Sequence, residues 1–439
     1  MRRGTRGKGT RAHVGAIAAA VAMVLGAIAL VGVDAPATTS APRASVAARP
    51  LQPLIDATPT GATLELAPGL YAGPATVART MTLRGMPGAV IDGGGVGSIL
   101  TVEADGVTVA GLAFRGSGDR HDEIDAALRL RGRHAIVKDN TIEDCLYGIE
   151  LKQSDGNVLR RNRISSKALP EPDRGDGIRL WLSTGNLIED NTVIAARDGF
   201  ALQASGNRIR ANTVRDGRYG ALLLYANANE IAANRLEGNV VGVMAIASHD
   251  VVVRDNRIAN GRHAFGNGLV FKDSSRATVI GNDLFAQAQG IWLDASPSEP
   301  EEINLFRANR IAYAGTAIGF HADLIGNVFE DNRFVGNHTE VVVRSGGGAD
   351  RNTWRGNAWD AYEGFDRDGD GVGDTPFEVW AWTDRLWMDV PAAQLFRSAP
   401  SLALIDFVER LGRFTEPRLL LRDDAPRLER ESRASTAEP

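Results

Sequence analysis

From Asn191 to Ala245 the chain reads Asn191-Thr-Val193, Gly199-Phe-Ala-Leu202, Asn212-Thr-Val214, Gly220-Ala-Leu-Leu223, Asn234-Arg-Leu236 and Gly242-Val-Met-Ala245, with polar residues between these words. Each of these asparagines is followed, eight residues on, by a glycine that opens a short apolar strand. The asparagine recurs as Asn140, Asn162, Asn256, Asn282, Asn309 and Asn332, and the spacings from Asn140 onward are 22, 29, 21, 22, 22, 26, 27 and 23 residues. A shortest unit of 21 or 22 residues is one coil of a three-sided solenoid whose strands stack about 4.8 Å apart on the coil below. Stacked asparagine amides can hydrogen-bond along the axis and satisfy polar groups at tight corners. A leucine-rich repeat has a similar period but demands leucine at fixed positions and a helix-like segment on its convex side. Here the spacings hold β-branched stretches and glycine or asparagine turns. The pattern predicts an all-β chain folded as a right-handed parallel β-helix, with an N-terminal cap and a short C-terminal helical extension.

Working outward, the solenoid is expected over residues 81–360. Residues 42–80 form a linker and cap, in which Leu51-Gln-Pro-Leu54-Ile55-Asp-Ala looks amphipathic and covers the first open coil. An Asp/Gly-rich loop follows over 361–378. The extension spans 379–430, where Trp380, Trp382, Leu386, Trp387 and Met388 lead into a stretch of helical spacing from Leu402 to Leu411. Residues 431–439 are charged and are expected to be disordered. Residues 1–41 read as an export signal: Arg2, Arg3, Arg6, Lys8 and Arg11 precede an apolar run from Val14 to Val33 and the small residues Ala35-Pro36-Ala37. An uncleaved N-terminal anchor is the alternative, because about 20 apolar residues can also span a bilayer. Either way the body of the chain is expected to be exported, in the periplasm.

The 439 residues, 44% of them hydrophobic, can bury a large core without disulfides. Lys and Arg number 49 against 54 Asp and Glu, for a net charge of -5, and no basic stripe with interleaved aromatics is present, which argues against a nucleic-acid partner. Cys145 is the only cysteine, so neither an internal disulfide nor a multi-thiolate metal site can form.

Three insertions precede apolar strands and should project from one edge: Gly116 to Asp125, Ser165 to Asp176 and Asn260 to Asn267. They bring Asp119, His121, Asp122, Glu123, Asp125, Glu171, Asp173, Asp176 and His263, a set that suits a cation site, a docking edge or a plain solvated rim. A row of Asp139, Asp190, Asp255 and Asp331 directly precedes ladder asparagines. Many β-helix proteins cleave or epimerise acidic polysaccharides, but this row lacks the histidine or arginine that would complete an acid, a base and a charge stabiliser. Asp366-Arg-Asp368-Gly-Asp370-Gly371-Val-Gly373-Asp374 resembles a calcium loop. Asp366, Asp368, Asp370 and Asp374 stand at positions 1, 3, 5 and 9, with glycine at 6. Position 12 is Phe377 rather than a bidentate glutamate, so an Asp-Gly turn closing the last coil is the competing reading. Copper would favour methionine, histidine and thiolate ligands. Those in the body of the chain are Met81, Met86, Met244, Met388, His121, His134, His249, His263, His321 and His338, and they are scattered.

Taken with the opening Leu51-Gln-Pro-Leu-Ile-Asp, Gly61-Ala-Thr-Leu and Ala67-Pro-Gly69-Leu-Tyr71, the Asp92-Gly-Gly-Gly95 turn, Gly220-Ala-Leu-Leu-Leu-Tyr-Ala-Asn227 and Gly356-Asn357 running into Phe365-Asp-Arg-Asp-Gly-Asp-Gly-Val-Gly-Asp374-Thr-Pro, the chain resembles the NosD-type proteins. These are exported β-helix accessory factors for maturation of nitrous oxide reductase. The resemblance implies a non-enzymatic periplasmic protein that works with ABC-type membrane transporter subunits and other maturation factors while the reductase's copper-sulfur centre is assembled. Membrane association would run through that complex or through the N-terminal anchor. The chain departs from the family at Ala201-Leu-Gln-Ala204 and Met244-Ala-Ile-Ala247, where Met, His and Tyr are expected, so copper handling rests on the resemblance and no copper ligand is carried over.

Overall fold

A computed structural model describes residues 48–261, 266–299, 301–345, 347–381 and 418–428. Its strands form three long parallel sheets of 14, 12 and 13 strands, and each coil contributes one strand to each. One such coil runs through Val158–Arg160, Arg163–Ser166 and Ile178–Trp181, in the 13-, 14- and 12-stranded sheets respectively. This is the parallel β-helix that the repeat predicts.

The tight corner lies between the 13- and 14-stranded sheets, where two residues turn the chain. The first adopts a left-handed backbone: φ is 58° at Asp139, 53° at Arg161, 56° at Asp190, 54° at Ala211, 54° at Ala233 and 53° at Asp331. The second, from the coil of Asn140 to that of Asn357, is the ladder asparagine, buried throughout. Its carboxamide oxygen accepts two bonds from the asparagine one coil earlier. Asn212 Oδ1 receives the backbone N–H of Asn191 at 2.8 Å and its Nδ2 at 3.0 Å, and Asn234 Oδ1 does the same for Asn212 at 2.9 and 3.0 Å. The Asn212 Nδ2 also donates to Ile188 O at 2.9 Å. A left-handed non-glycine residue costs about 1–2 kcal/mol, whereas three bonds of about 0.5–1.5 kcal/mol each offset it, so the corner holds without glycine.

A second ladder escaped the sequence reading. Asn157, Asn186, Asn207 and Asn229 bond in series at the corner entering the 13-stranded sheet, through Nδ2 to Oδ1 distances of 2.8, 2.9 and 3.2 Å. Val251 and Ala277 interrupt it, and it resumes at Asn304, Asn327 and Asn352. The glycines that open the strands of the 12-stranded sheet are not turn glycines: Gly220 lies within Tyr219–Leu224 and Gly242 within Val241–Ile246. They are there for want of space. A Cβ on Gly242 would stand 2.3 Å from Ile258 Cγ2 and 2.5 Å from Gly268 O.

The solenoid begins earlier than residue 81. Arg49–Pro50, Thr63–Leu66 and Gly69–Ala72 already pair into its sheets, because the apolar alternation of Leu64, Leu66 and Tyr71 suits a coil as well as a cap. The cap itself is a short helix, α1 (Gln52–Ala57), which buries Leu51 and Ile55. Gln52 accepts from Thr76 N at 2.7 Å and donates to Thr76 O at 3.1 Å, closing the free edge of the first strand of the 12-stranded sheet.

At the other end the core turns aromatic: Phe329 stacks on Trp354 with centroids 4.2 Å apart, Phe334 on Trp359 at 4.0 Å, and Trp359 on Phe377 at 4.7 Å. The described part of the extension is an antiparallel pair of strands, Phe377–Ala381 and Arg418–Asp423. The expected helix at Leu402 to Leu411 lies outside the described residues, as do residues 1–47 with their export signal or anchor. The strand Arg418–Asp423 carries Asp423, fully buried, to the place where the next ladder asparagine would stand. Its Oδ2 receives Asn357 N at 3.0 Å, Asn357 Nδ2 at 2.9 Å and Trp359 Nε1 at 3.2 Å. Asp423→Ala orphans these buried donors and should lower the unfolding free energy by about 1–3 kcal/mol. Asp423→Asn, which keeps an acceptor oxygen, should recover most of that in urea unfolding.

Candidate functional site

In-out alternation gives each sheet an outer face, and those of the 14- and 12-stranded sheets differ in chemistry. On the 14-stranded sheet one outer column runs Arg163, Thr192, Thr213, Arg235, Arg257, Asp283, Arg310 and Arg333. On the 12-stranded sheet the corresponding column runs Ala201, Leu222, Met244, Val270, Trp292, Gly319 and Val342, one residue per coil. Leu222 and Leu224 are half-buried beside the fully buried Leu223, so they point outward. Near Trp292 this face forms a groove of about 360 Å3 bounded on one side by Tyr219, Asn267 and Gln289 and on the other by Lys272, Asp294, His321 and Arg344. Trp292 lies against Gly319, where a Cβ would come 2.4 Å from its Cε3, and the Arg344 guanidinium sits 4.5 Å from its ring centroid. Lys272 Nζ holds the Asp294 carboxylate at 2.7 Å.

The inserted loops lie at the N-terminal end of the same sheet. Gly116 to Asp125 and Ser165 to Asp176 meet each other: Lys167 Nζ reaches Asp119 Oδ1 at 2.6 Å and Ser117 O at 2.7 Å. His121 bridges the two, with Nδ1 at 3.0 Å from the Tyr147 hydroxyl and Nε2 at 3.1 Å from Asp173 O. The third insertion leads into the next-but-three strand of that sheet, and His263 lies outside the described residues. Most of the carboxylates here are already paired, Asp119 with Lys167 among them, while Glu171 and Asp173 lie in the short 3-10 turn Glu171–Asp173. The buried Asp176 takes Arg197 at 2.8 Å and Arg179 at 3.4 Å, and Arg218 clamps Asp198 at 2.9 and 2.7 Å. Burial raises the Asp198 carboxyl above its ordinary range while Arg218 pulls it back. Burial likewise raises the Tyr147 phenol. Asp125 accepts Arg120 N at 3.0 Å, and Arg120 also pairs with Asp122 at 2.7 Å. An open cation site is therefore not what these loops build.

The expected aspartate row sits at the left-handed corner, since Asp139, Asp190, Asp255 and Asp331 all have φ between 53° and 58°. A short polar side chain tolerates that backbone best. Asp139 is paired with Arg161 at 2.7 Å and Asp331 with Arg427 at 2.8 Å, so the row is corner chemistry with ionic cross-links. In the Asp/Gly-rich loop Asp366, Asp368 and Asp370 come together, with a ligand oxygen of each within 4.8 Å of the others. Asp374 does not join them, because its Oδ2 accepts Arg367 N at 2.8 Å. The carboxylate of Asp366 accepts Gly371 N at 2.9 Å and Gly369 N at 2.6 Å, which holds its carboxyl below the ordinary range. Phe377 is buried against Trp359, and Glu378 is occupied by Arg422 at 3.0 Å. Backbone N–H groups thus engage these carboxylates as a series of Asx turns, while Asp366, Asp368 and Asp370 stay close enough to share a cation.

The model for a family described as "Periplasmic copper-binding protein (NosD)" matches residues 166–364. A protein of Pseudomonas aeruginosa described as "Probable ABC transporter binding protein NosD" is 30% identical over 404 residues, covering 79% of this chain and 83% of that one. One of the same description from Stutzerimonas stutzeri is 28% identical over 360 residues, covering 78% of this chain and 81% of the other. Among solved structures, an alginate lyase is similar at a TM-score of 0.48 and 16% identity, over 66% of this chain and 83% of that one. The Streptococcus pneumoniae surface protein and adhesin PfbA is similar at 0.49 and 12%, over 64% and 91%. These two likenesses concern fold alone.

The copper named in that family description can be tested against the donors of this chain. Cys145 is buried in the core and its thiol is pushed up to about 12 by burial, far from the thiolate that copper binds. His249 Nδ1 accepts Ser275 N at 3.2 Å, and Met81 is a core residue. Met244 and His321 share the groove, yet they stand three coils apart, about 14 Å along the axis. Among the described residues, then, the soft donors do not fit a shared copper ion. Met244→Leu and His321→Ala, singly or together, should leave the copper content of the purified protein unchanged, as read by metal analysis after dialysis against a copper(I) chelator.

Proposed function

The chain belongs to the NosD family of periplasmic copper-binding proteins, and from that premise we propose that it is the exported component of an ABC-type membrane complex that supports assembly of the copper-sulfur centre of nitrous oxide reductase. The observation that carries this reading is the pairing of transporter-binding relatives over most of the chain with a solenoid whose 12-stranded sheet presents an apolar outer column that suits a partner rather than water. Its part in that complex is docking and coupling, because the described soft donors are dispersed along the axis.

A polysaccharide lyase or epimerase would need an acid, a base and a charge stabiliser converging on one groove. The groove carboxylate Asp294 is held by Lys272, and the outer aspartates answer to corner geometry and arginines. No observation favours that second reading.

The test is genetic and biochemical. A strain that lacks the chain should still make the reductase polypeptide, but the isolated enzyme should lack its copper-sulfur centre and fail to consume nitrous oxide. Expression of the chain in trans should restore both. A fully loaded reductase from the deletion strain would overturn the proposal.

A further inference from the structure

The apolar column of the 12-stranded sheet belongs to a longer stripe. Beside it runs a second outer column, Lys152, Trp181, Gln203, Leu224, Ile246, Lys272 and Asp294, continued by His321 and Arg344. Leu182 and Tyr225, 55% and 71% exposed, extend the apolar surface at the corner. The middle of the stripe, from Leu222 to Trp292, has no charge except the neutralised pair Lys272 and Asp294.

Its two ends are different. Lys152 Nζ lies 5.5 Å from the centroid of Trp181, and Arg344 lies over Trp292. Among the described residues neither cation has a carboxylate partner, whereas the interior cations Arg179 and Lys272 both do. Eight coil-to-coil steps separate Lys152 from Arg344, a span of about 38 Å. That is the length of a helix of roughly 25 residues. Within that span the apolar middle from Leu222 to Trp292 is flanked by neutral or ion-paired polar residues, and among the described residues the cations without a carboxylate partner stand only at the two ends. A protein segment with an apolar side and carboxylates near both ends complements it.

We propose that this stripe is the surface on which the ABC transporter docks, through an elongated amphipathic segment of its exported side. Leu222, Leu224, Met244, Ile246 and Trp292 cover the apolar side of the segment, and Lys152 and Arg344 meet its terminal carboxylates. The proposal rests on the transporter-docking reading above and adds where the contact is made and by what chemistry.

The experiment measures binding of the full exported chain to the cognate permease–ATPase complex held in lipid nanodiscs. Three variants accompany the wild type: Leu224→Lys with Ile246→Lys in the stripe, Lys152→Glu with Arg344→Glu at its ends, and Arg208→Glu on the 13-stranded sheet as a control. Both stripe variants should lose affinity at least tenfold, the charge-reversed one most at low salt, while the control binds as wild type. The charge reversal touches only solvent-facing ends, so it keeps the proposal testable if the lysine pair impairs folding, as judged by thermal unfolding. Unchanged affinity of the folded stripe variants would overturn this surface and leave transporter docking standing. Absence of wild-type binding would overturn both.

Discussion

The molecule depends on one recurring constraint: a chain that changes sheet in two residues leaves a backbone N–H that neither sheet can accept. Water cannot reach it, since the ladder positions are buried from Asn140 to Asn357, and an orphaned buried amide costs about 1–3 kcal/mol. From Asn140 onward the asparagine carboxamide is the side chain that solves this for each coil in turn. It accepts the N–H of the coil before, accepts that coil's amide as well, and donates back to a strand carbonyl of that coil and onward to the next asparagine. Because each asparagine needs the next, the ladder cannot simply stop, which is why Asp423 is brought from 66 residues away to receive Asn357. With only acceptor oxygens, a carboxylate is suited to the last position and to no other.

The functional surface follows from the register that this ladder imposes. Once the corners are in phase, positions with the same offset in successive coils stack into straight columns, and one sheet's outer column becomes Leu222, Met244, Val270 and Trp292. The neighbouring sheet places arginine, threonine and aspartate in the equivalent column. The same stacking that lines up the apolar stripe also keeps side chains that lie several coils apart from converging. Residues on different coils stay about 4.8 Å apart per step along the axis, so Met244 and His321 share a groove without sharing an ion. The straight scaffold favours an extended contact over a compact metal or catalytic centre.

Much of this could be read residue by residue, and the failures are physical. The first ladder was legible because Asn140 to Asn332 each stand two residues before an apolar strand centre. The second was masked because its asparagines follow Gly156, Gly185 and Gly206 and then give way to Val251 and Ala277, so it reads as ordinary turn composition. The strand glycines read as turn residues because sequence cannot distinguish a glycine needed for its φ from one needed for the absence of a Cβ, and only the approach of Gly268 O and Ile258 to Gly242 separates the two. Likewise Asp366, Asp368, Asp370 and Asp374 share a calcium-loop spacing, yet only the first three bring oxygens together, while Asp374 Oδ2 accepts Arg367 N. Spacing does not report where a side chain finds its hydrogen bond.

By itself the sequence determined the coil, its three-sided cross-section and the place of the corners, since these depend on local periodicity and on which residues tolerate a left-handed backbone. Its kinship was legible in the ordered motifs from Leu51 to Asp374. The tertiary structure alone decided which outer residues become neighbours, that Lys167 and His121 join two insertions, that the buried Asp176 and Asp198 are consumed by arginines, and that Asp423 closes the ladder. Each of those contacts spans 20 or more residues. They depend on the accumulated register of whole coils, a quantity that no local window of sequence contains.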